Sequence, residues 1–136
     1  MNTSKGVRRV MVADDDEEMR AALTAALHAD GCTTVEACDG KELLDLIRIS
    51  VAEPWLRPDV IVADVKMPKL SGLGVLAALQ RASFTVPVIM ITAVTDESVD
   101  RVAMRLGAVG VLHKPFEADV LLTAVRNAKA APTAHR

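Results

Sequence analysis

Short apolar runs alternate along this chain with longer stretches of helical periodicity. Runs of strand length, rich in β-branched and other apolar residues, fall at 8–13, 33–37, 59–63, 86–91 and 109–112. Between and after them, 17–29, 41–50, 73–81, 96–106 and 117 to about 129 carry the spacing of amphipathic helices. Strand then helix, repeated five times, predicts an α/β layered fold. Parallel strands need a crossover element, and the crossover helices then cover both faces of the sheet. Val60-Ile61-Val62 and Val88-Ile89-Met90-Ile91 are apolar throughout, as central strands buried on both sides must be. Asp16 can cap the first helix with Glu17 and Glu18 in its first turn, and Asp30-Gly31 and Gly107 stop the first and fourth. The stretch 50–58, holding Pro54, Trp55 and Pro58, reads as a long loop, with Trp55 expected to pack over the sheet edge. Residues 1–6 and 131–136 read as disordered ends, the second a tail or linker stub, which leaves one domain over 7–130.

Composition narrows the function classes. A length of 136 residues suits a single core. Half of the residues are apolar but only three are aromatic, so the core is aliphatic and few stacking platforms exist for single-stranded nucleic acid. Sixteen basic against eighteen acidic residues lack the excess that a phosphate-backbone binder needs. Cys32 and Cys38 form no CxxC and have no partnering histidine cluster; they read as reduced, small apolar residues. Met11, Met67, Met90 and Met104 fall on apolar positions and read as core, and His28 and His113 as structural. The polar start resembles no signal peptide and no apolar run approaches a bilayer span, so a soluble, cytoplasmic protein is expected.

The polar residues at strand ends carry the chemistry. In an open parallel sheet, ligands sit beyond the carboxyl ends of the strands, where the strand order reverses. Asp14-Asp15-Asp16 follows the first strand, Asp64 the third, Thr92 the fourth and Lys114 the fifth. Carboxylates converging on one mouth repel one another, and a hard divalent cation with oxygen ligands relieves them. Magnesium suits a site with few protein ligands because it keeps several waters. With Lys114 as a compensating cation and Thr92 as a hydroxyl donor, the inventory is that of phosphoryl transfer. Asp16, Glu17 and Glu18 belong to the helix start instead.

Val10-Met11-Val12-Ala13-Asp14-Asp15, Asp64-Val65-Lys66-Met67-Pro68 with Gly72, Ile91-Thr92-Ala93 and Lys114-Pro115-Phe116 together resemble the four signatures of response-regulator receiver domains, over about residues 7–128. The resemblance implies a doubly wound, five-stranded parallel sheet with five helices, flavodoxin-like, in strand order 2-1-3-4-5. It implies that Asp64 is the nucleophile that accepts a phosphoryl group from a histidine kinase or a histidine phosphotransfer protein. Asp15 and Asp64 would ligate Mg²⁺ directly, Asp14 largely through a water, and the backbone carbonyl of Lys66 would add a ligand. Thr92 and Lys114 would each contact a phosphoryl oxygen, and a cis peptide before Pro115 would aim Lys114 inward. Phosphorylation would shift Thr92 and reshape the face at 96–129 for a downstream protein, with the chain a monomer or a phosphorylation-dependent dimer. Such a domain catalyses only its own phosphorylation and dephosphorylation, and neither nucleic acid nor membrane is a direct partner.

Three positions depart from that pattern. Val111 stands where the family often carries an aromatic switch residue, so signalling would use backbone and helix shifts. Lys66 places a flexible cation at the mouth of the site, where phosphoryl lifetime is tuned. The loop around Pro54-Trp55 is longer than usual. Among rival readings, an aspartyl phosphatase of the haloacid-dehalogenase kind requires DxDx[TV], which Asp14-Asp15-Asp16-Glu17 fails at its last position, and it requires a cap domain. A degenerate receiver is disfavoured by the intact Asp14, Asp15, Asp64, Thr92 and Lys114. The chain could also be the front part of a longer transcription factor.

Overall fold

The computed structural model describes residues 8–93, 95 and 97–129. The expected disordered ends, Asp96 and His135 therefore lie outside the described residues. The elements are β1 (Arg9–Ala13), α1 (Glu17–Ala29), β2 (Thr33–Ala37), α2 (Gly40–Ala52), β3 (Val60–Asp64), α3 (Gly72–Arg81), β4 (Val88–Thr92), α4 (Glu97–Arg105), β5 (Gly110–His113) and α5 (Ala118–Asn127). All strand pairs are parallel, in the order β2-β1-β3-β4-β5. The fold is thus the flavodoxin-like one, and the order reverses between β1 and β3.

The two-residue period of the strands sorts the core into two layers. Met11, Ile61 and Met90 point to the side covered by Leu43 and Ile47 of α2, Val75 and Leu79 of α3 and Ala103 of α4. Val10, Val12, Val62, Ile89 and Ile91 point to the side covered by Leu23 and Leu27 of α1 and Leu121 and Val125 of α5. β3 and β4 are buried at every position, as their unbroken apolar runs required. Each such aliphatic side chain contributes about 1.5–3 kcal/mol on leaving water.

Helix punctuation follows local chemistry. Asp16 caps α1 by accepting from the amides of Glu18 and Met19. Past the ends of α1 and α4, Gly31 and Gly107 take φ of 92° and 103°, a region costly for any residue with a Cβ.

Several expectations are corrected. Residues 50–58 are not a loop: α2 runs on to Ala52, and Pro54–Leu56 forms a single 3₁₀ turn. Ser50, where the expected helix and loop met, lies inside α2, donates its hydroxyl to the Ile47 carbonyl at 2.7 Å and is buried. Pro54 opens the 3₁₀ turn, where a missing amide proton costs nothing. Trp55 does not pack over the sheet; its side chain stands in solvent at 68% exposure, and its carbonyl accepts from Arg9. Met104 is half exposed because α4 buries only Ala103. Cys38 is exposed, with its thiol near Asp39, so it is not an apolar filler. Asp59 stays outside β3, its carboxylate accepting from the Arg9 amide at 2.8 Å.

Candidate metal centre

The sheet brings its polar strand ends to one edge. By alternation Asp14, Asp64 and Lys114 continue the rows of Val12, Val62 and Leu112, which face α1 and α5. Asp14 extends the ladder one rung past β1, its amide donating to the Ala37 carbonyl at 3.2 Å. Its carboxylate is fully buried, accepts from the Asp16 amide at 2.9 Å and lies 3.3 Å from Lys114 Nζ. Asp64 is the last residue of β3, one position later than the sequence suggests, and is 6% exposed. One of its oxygens accepts from the Lys66 amide at 3.0 Å and the other meets Lys114 Nζ at 2.7 Å. Asp15 is exposed at the rim. Carboxylate oxygens of Asp14, Asp15 and Asp64 all lie within 4.8 Å of one another.

Two opposed effects act on this cluster. Burial pushes the Asp14 carboxyl above its ordinary range, and the neighbouring Asp64 charge adds to that; the Asp16 amide and Lys114 oppose it without prevailing. Burial likewise works against the Lys114 ammonium, but hydrogen bonds and charge from Asp64 and Asp14 outweigh it and hold the lysine above its usual value. One ammonium faces two acids, with a third at the rim. Three hard oxygen donors in short compass, left with an excess of negative charge, fit a small divalent cation.

The remaining expected residues take their places around this centre. Thr92 closes β4, buried, with its carbonyl accepting from the Lys114 amide at 2.9 Å. Asp64 pairs in register with Ile91, so Thr92 stands one rung beyond it on the next strand. Lys66 is exposed at the mouth. The Lys114-Pro115 peptide is cis. Val111 is half-buried against the core layer that holds α2, α3 and α4. Gly72 has a steric reason to be glycine: a Cβ there would lie 2.2 Å from the Asp64 carbonyl oxygen. Beside Asp15 opens a largely apolar groove of about 520 Å³, lined by Val65, Met67, Pro68 and Leu73 with Lys66 at its side.

Sequence reasoning missed Arg20. From α1 it donates to the Asp14 carbonyl at 2.7 Å and to Glu36 of β2 at 3.0 Å, clamping the turn that carries the acid pair. An arginine six residues beyond Asp14 is the only linear signal, and it does not specify a partner on β2. His28 and His113 pair with Thr34 and Asp100, at 2.8 and 3.0 Å.

Comparison with known proteins agrees with this fold. The family profile described as "Response regulator receiver domain" matches residues 10–126. Response regulator MprA of Mycolicibacterium vanbaalenii is 39% identical over 119 residues, covering 87% of this chain and 48% of that protein. The chain thus spans about half the length of the curated relatives it matches. Among solved structures, the receiver domain of Francisella response regulator 1452 is 33% identical, with a TM-score of 0.80 over 88% of this chain and 93% of that one. Chemotaxis protein CheY4 of Vibrio cholerae is 28% identical, with a TM-score of 0.79 over 90% and 99%.

Proposed function

Since the chain belongs to the response-regulator receiver family of two-component systems, we propose that Asp64 accepts a phosphoryl group from the phosphohistidine of a sensor kinase or phosphotransfer protein. The observation that carries this reading is the convergence of the Asp14, Asp15 and Asp64 carboxylates with Lys114 Nζ at the carboxyl edge of the sheet. In the transfer, an Asp64 oxygen bonds to phosphorus as the bond from phosphorus to the imidazole nitrogen breaks, and the imidazole leaves. Burial of Asp64 limits the solvent shell that a nucleophile must shed, and the Lys66 amide and Lys114 fix the carboxylate's orientation.

Asp14, Asp15 and Asp64 would hold Mg²⁺, with the Lys66 carbonyl as a further ligand. When bound, that ion neutralises charge developing on the phosphoryl oxygens. Lys114 and the Thr92 hydroxyl would each take a phosphoryl oxygen. The chain then catalyses only its own phosphorylation and dephosphorylation. The added charge of about −1.5 to −2 would draw Thr92 and its loop inward. With Val111 in place of an aromatic side chain, the change would pass as backbone and helix movement to the face at 97–129. Exposed Val102, Met104 and Val120 on that face suit a downstream protein or a second, phosphorylated copy. Among the described residues no helix is long and apolar enough to cross a membrane.

Incubation with Mg²⁺ and acetyl phosphate is expected to give one hydroxylamine-sensitive phosphoryl group per chain, and Asp64→Asn to give none. Label retained in the variant, or absent from the wild type under every donor, overturns the reading.

A further inference from the structure

Asp39, Gly40, Lys69 and Leu70 belong to none of the four signatures, yet they tie the loop that carries Lys66 to the start of α2. That loop leaves Asp64 and turns at Lys69, whose φ is 72°. The Leu70 amide donates to the Pro68 carbonyl at 2.7 Å, which closes a γ-turn around a left-handed lysine. Such turns are strained for residues with a Cβ, and they persist where the surroundings hold them. Here the surroundings are the first residues of α2. A Cβ on Gly40 would lie 1.8 Å from the Leu70 carbonyl oxygen and 2.7 Å from its carbonyl carbon, so helix and loop meet backbone to backbone. Asp39 caps α2 through the Glu42 amide at 2.7 Å, and its carboxylate lies 3.7 Å from Lys69 Nζ. At the loop's far end the Gly72 amide donates to the Val65 carbonyl at 2.8 Å.

We infer that Gly40, seconded by the Asp39–Lys69 pair, is a positioning latch: it seats the 65–71 loop on α2 and so fixes the Lys66 main chain beside Asp64. This rests on the metal-assisted reading proposed above. The two halves of the latch differ in weight. The lysine is 65% exposed on its side chain, and exposed ion pairs contribute little. The glycine contact is steric, against backbone, and no side-chain rotation relieves it. Gly74 offers a matched contrast, because a Cβ there would meet side chains and no backbone: the end of Leu70 at 2.6 Å and Ser71 Oγ at 3.5 Å.

The test compares full-length Gly40→Ala and Gly74→Ala in three measurements: urea unfolding, Mg²⁺ affinity by calorimetry, and amide hydrogen exchange of Lys66 and Leu70 without metal. Gly40→Ala is expected to weaken Mg²⁺ binding roughly fivefold or more and to speed exchange at both amides, whereas Gly74→Ala changes either by less than about twofold. A folded Gly40→Ala that loses stability but keeps wild-type Mg²⁺ affinity and exchange overturns the latch. Where Gly40→Ala does not fold, wild-type exchange without metal decides: the latch makes the Leu70 amide and the Glu42 amide at the start of α2 open together, so low urea should speed both alike, and independent opening of the two overturns the proposal. Wild type that takes neither Mg²⁺ nor label overturns the phosphoacceptor reading instead, and metal-free exchange still decides the latch.

Discussion

Lys114 is the residue on which the centre's electrostatics turn. It reaches Asp64 at 2.7 Å and Asp14 at 3.3 Å with only 18% of its side chain exposed, so its removal leaves two buried acids with no cation. Truncating one partner of a buried pair costs about 3–5 kcal/mol, and at a mouth open to water about 2 kcal/mol is expected. Lys114→Met should therefore lower the metal-free unfolding free energy by about 2 kcal/mol in urea titrations. The same variant should bind Mg²⁺ more tightly than the wild type and take label from acetyl phosphate more slowly. Weaker Mg²⁺ binding would show that the lysine shapes the carboxylates rather than competing with the ion. Asp14 carries the opposite sign. Its carboxyl is raised by burial, so its contribution to stability is complete below the ordinary value of 3.8 and is lost as pH rises through the raised one. At neutral pH the metal-free chain therefore holds a destabilising carboxylate.

At the scale of elements, the two helices on one face are joined by Arg126 of α5 and Asp30, the residue that ends α1. The guanidinium makes two hydrogen bonds to the carboxylate, with Nε at 3.1 Å. That bidentate bond holds the Asp30 carboxyl below its ordinary value against the opposing effect of burial, with a lesser pull in the same direction from the Arg126 charge. A depressed folded-state value gives stability that is present above the unfolded value of 3.8 and lost as pH falls through the lower one. Arg126→Gln is expected to lower stability at neutral pH and to flatten the fall below about pH 4, so that the two curves converge in acid. Urea midpoints measured between neutral and acid pH check this; parallel curves for the two proteins would mean that the pair carries no linkage. On the opposite face Asp39–Lys69 is the counterpart, but there the glycine contact outweighs the ion pair.

Across the whole molecule, the ends of three strands from distant parts of the sequence, β1, β3 and β5, hold the charges that meet at one ion site. Ligand binding to the folded state alone stabilises by mass action, about 2.7 kcal/mol at a hundredfold excess over Kd. Mg²⁺ should raise the unfolding free energy by that amount in the wild type at neutral pH, and by less as pH falls and Asp14 protonates. Asp64→Asn should lose most of the gain. An equal gain in both proteins, read by chemical denaturation with and without chelator, would place the ion elsewhere. The same edge carries the site in a sheet whose other end bears exposed Trp55, so binding and that solvent-facing turn lie at opposite ends of the fold.

The sequence alone determined the alternation of elements, the two buried central strands and the polar residues at four strand ends. It could do so because burial imposes a period on each element, and ligand sites in open sheets fall at one predictable edge. Asp14, Asp15, Asp64, Thr92 and Lys114 were legible because their chemistry is unlike that of the apolar runs they terminate. Residues 50–58 misled because Ser50 and Pro54 are turn formers in isolation, while a buried hydroxyl bond and a helix-opening position suit them here. Only the tertiary structure decided that Arg20 clamps the acid turn, that Trp55 faces solvent, and that Gly40 lies against Leu70. Those depend on which elements meet in space, and a linear pattern reports which side of an element is buried, not what lies against it or what is left uncovered.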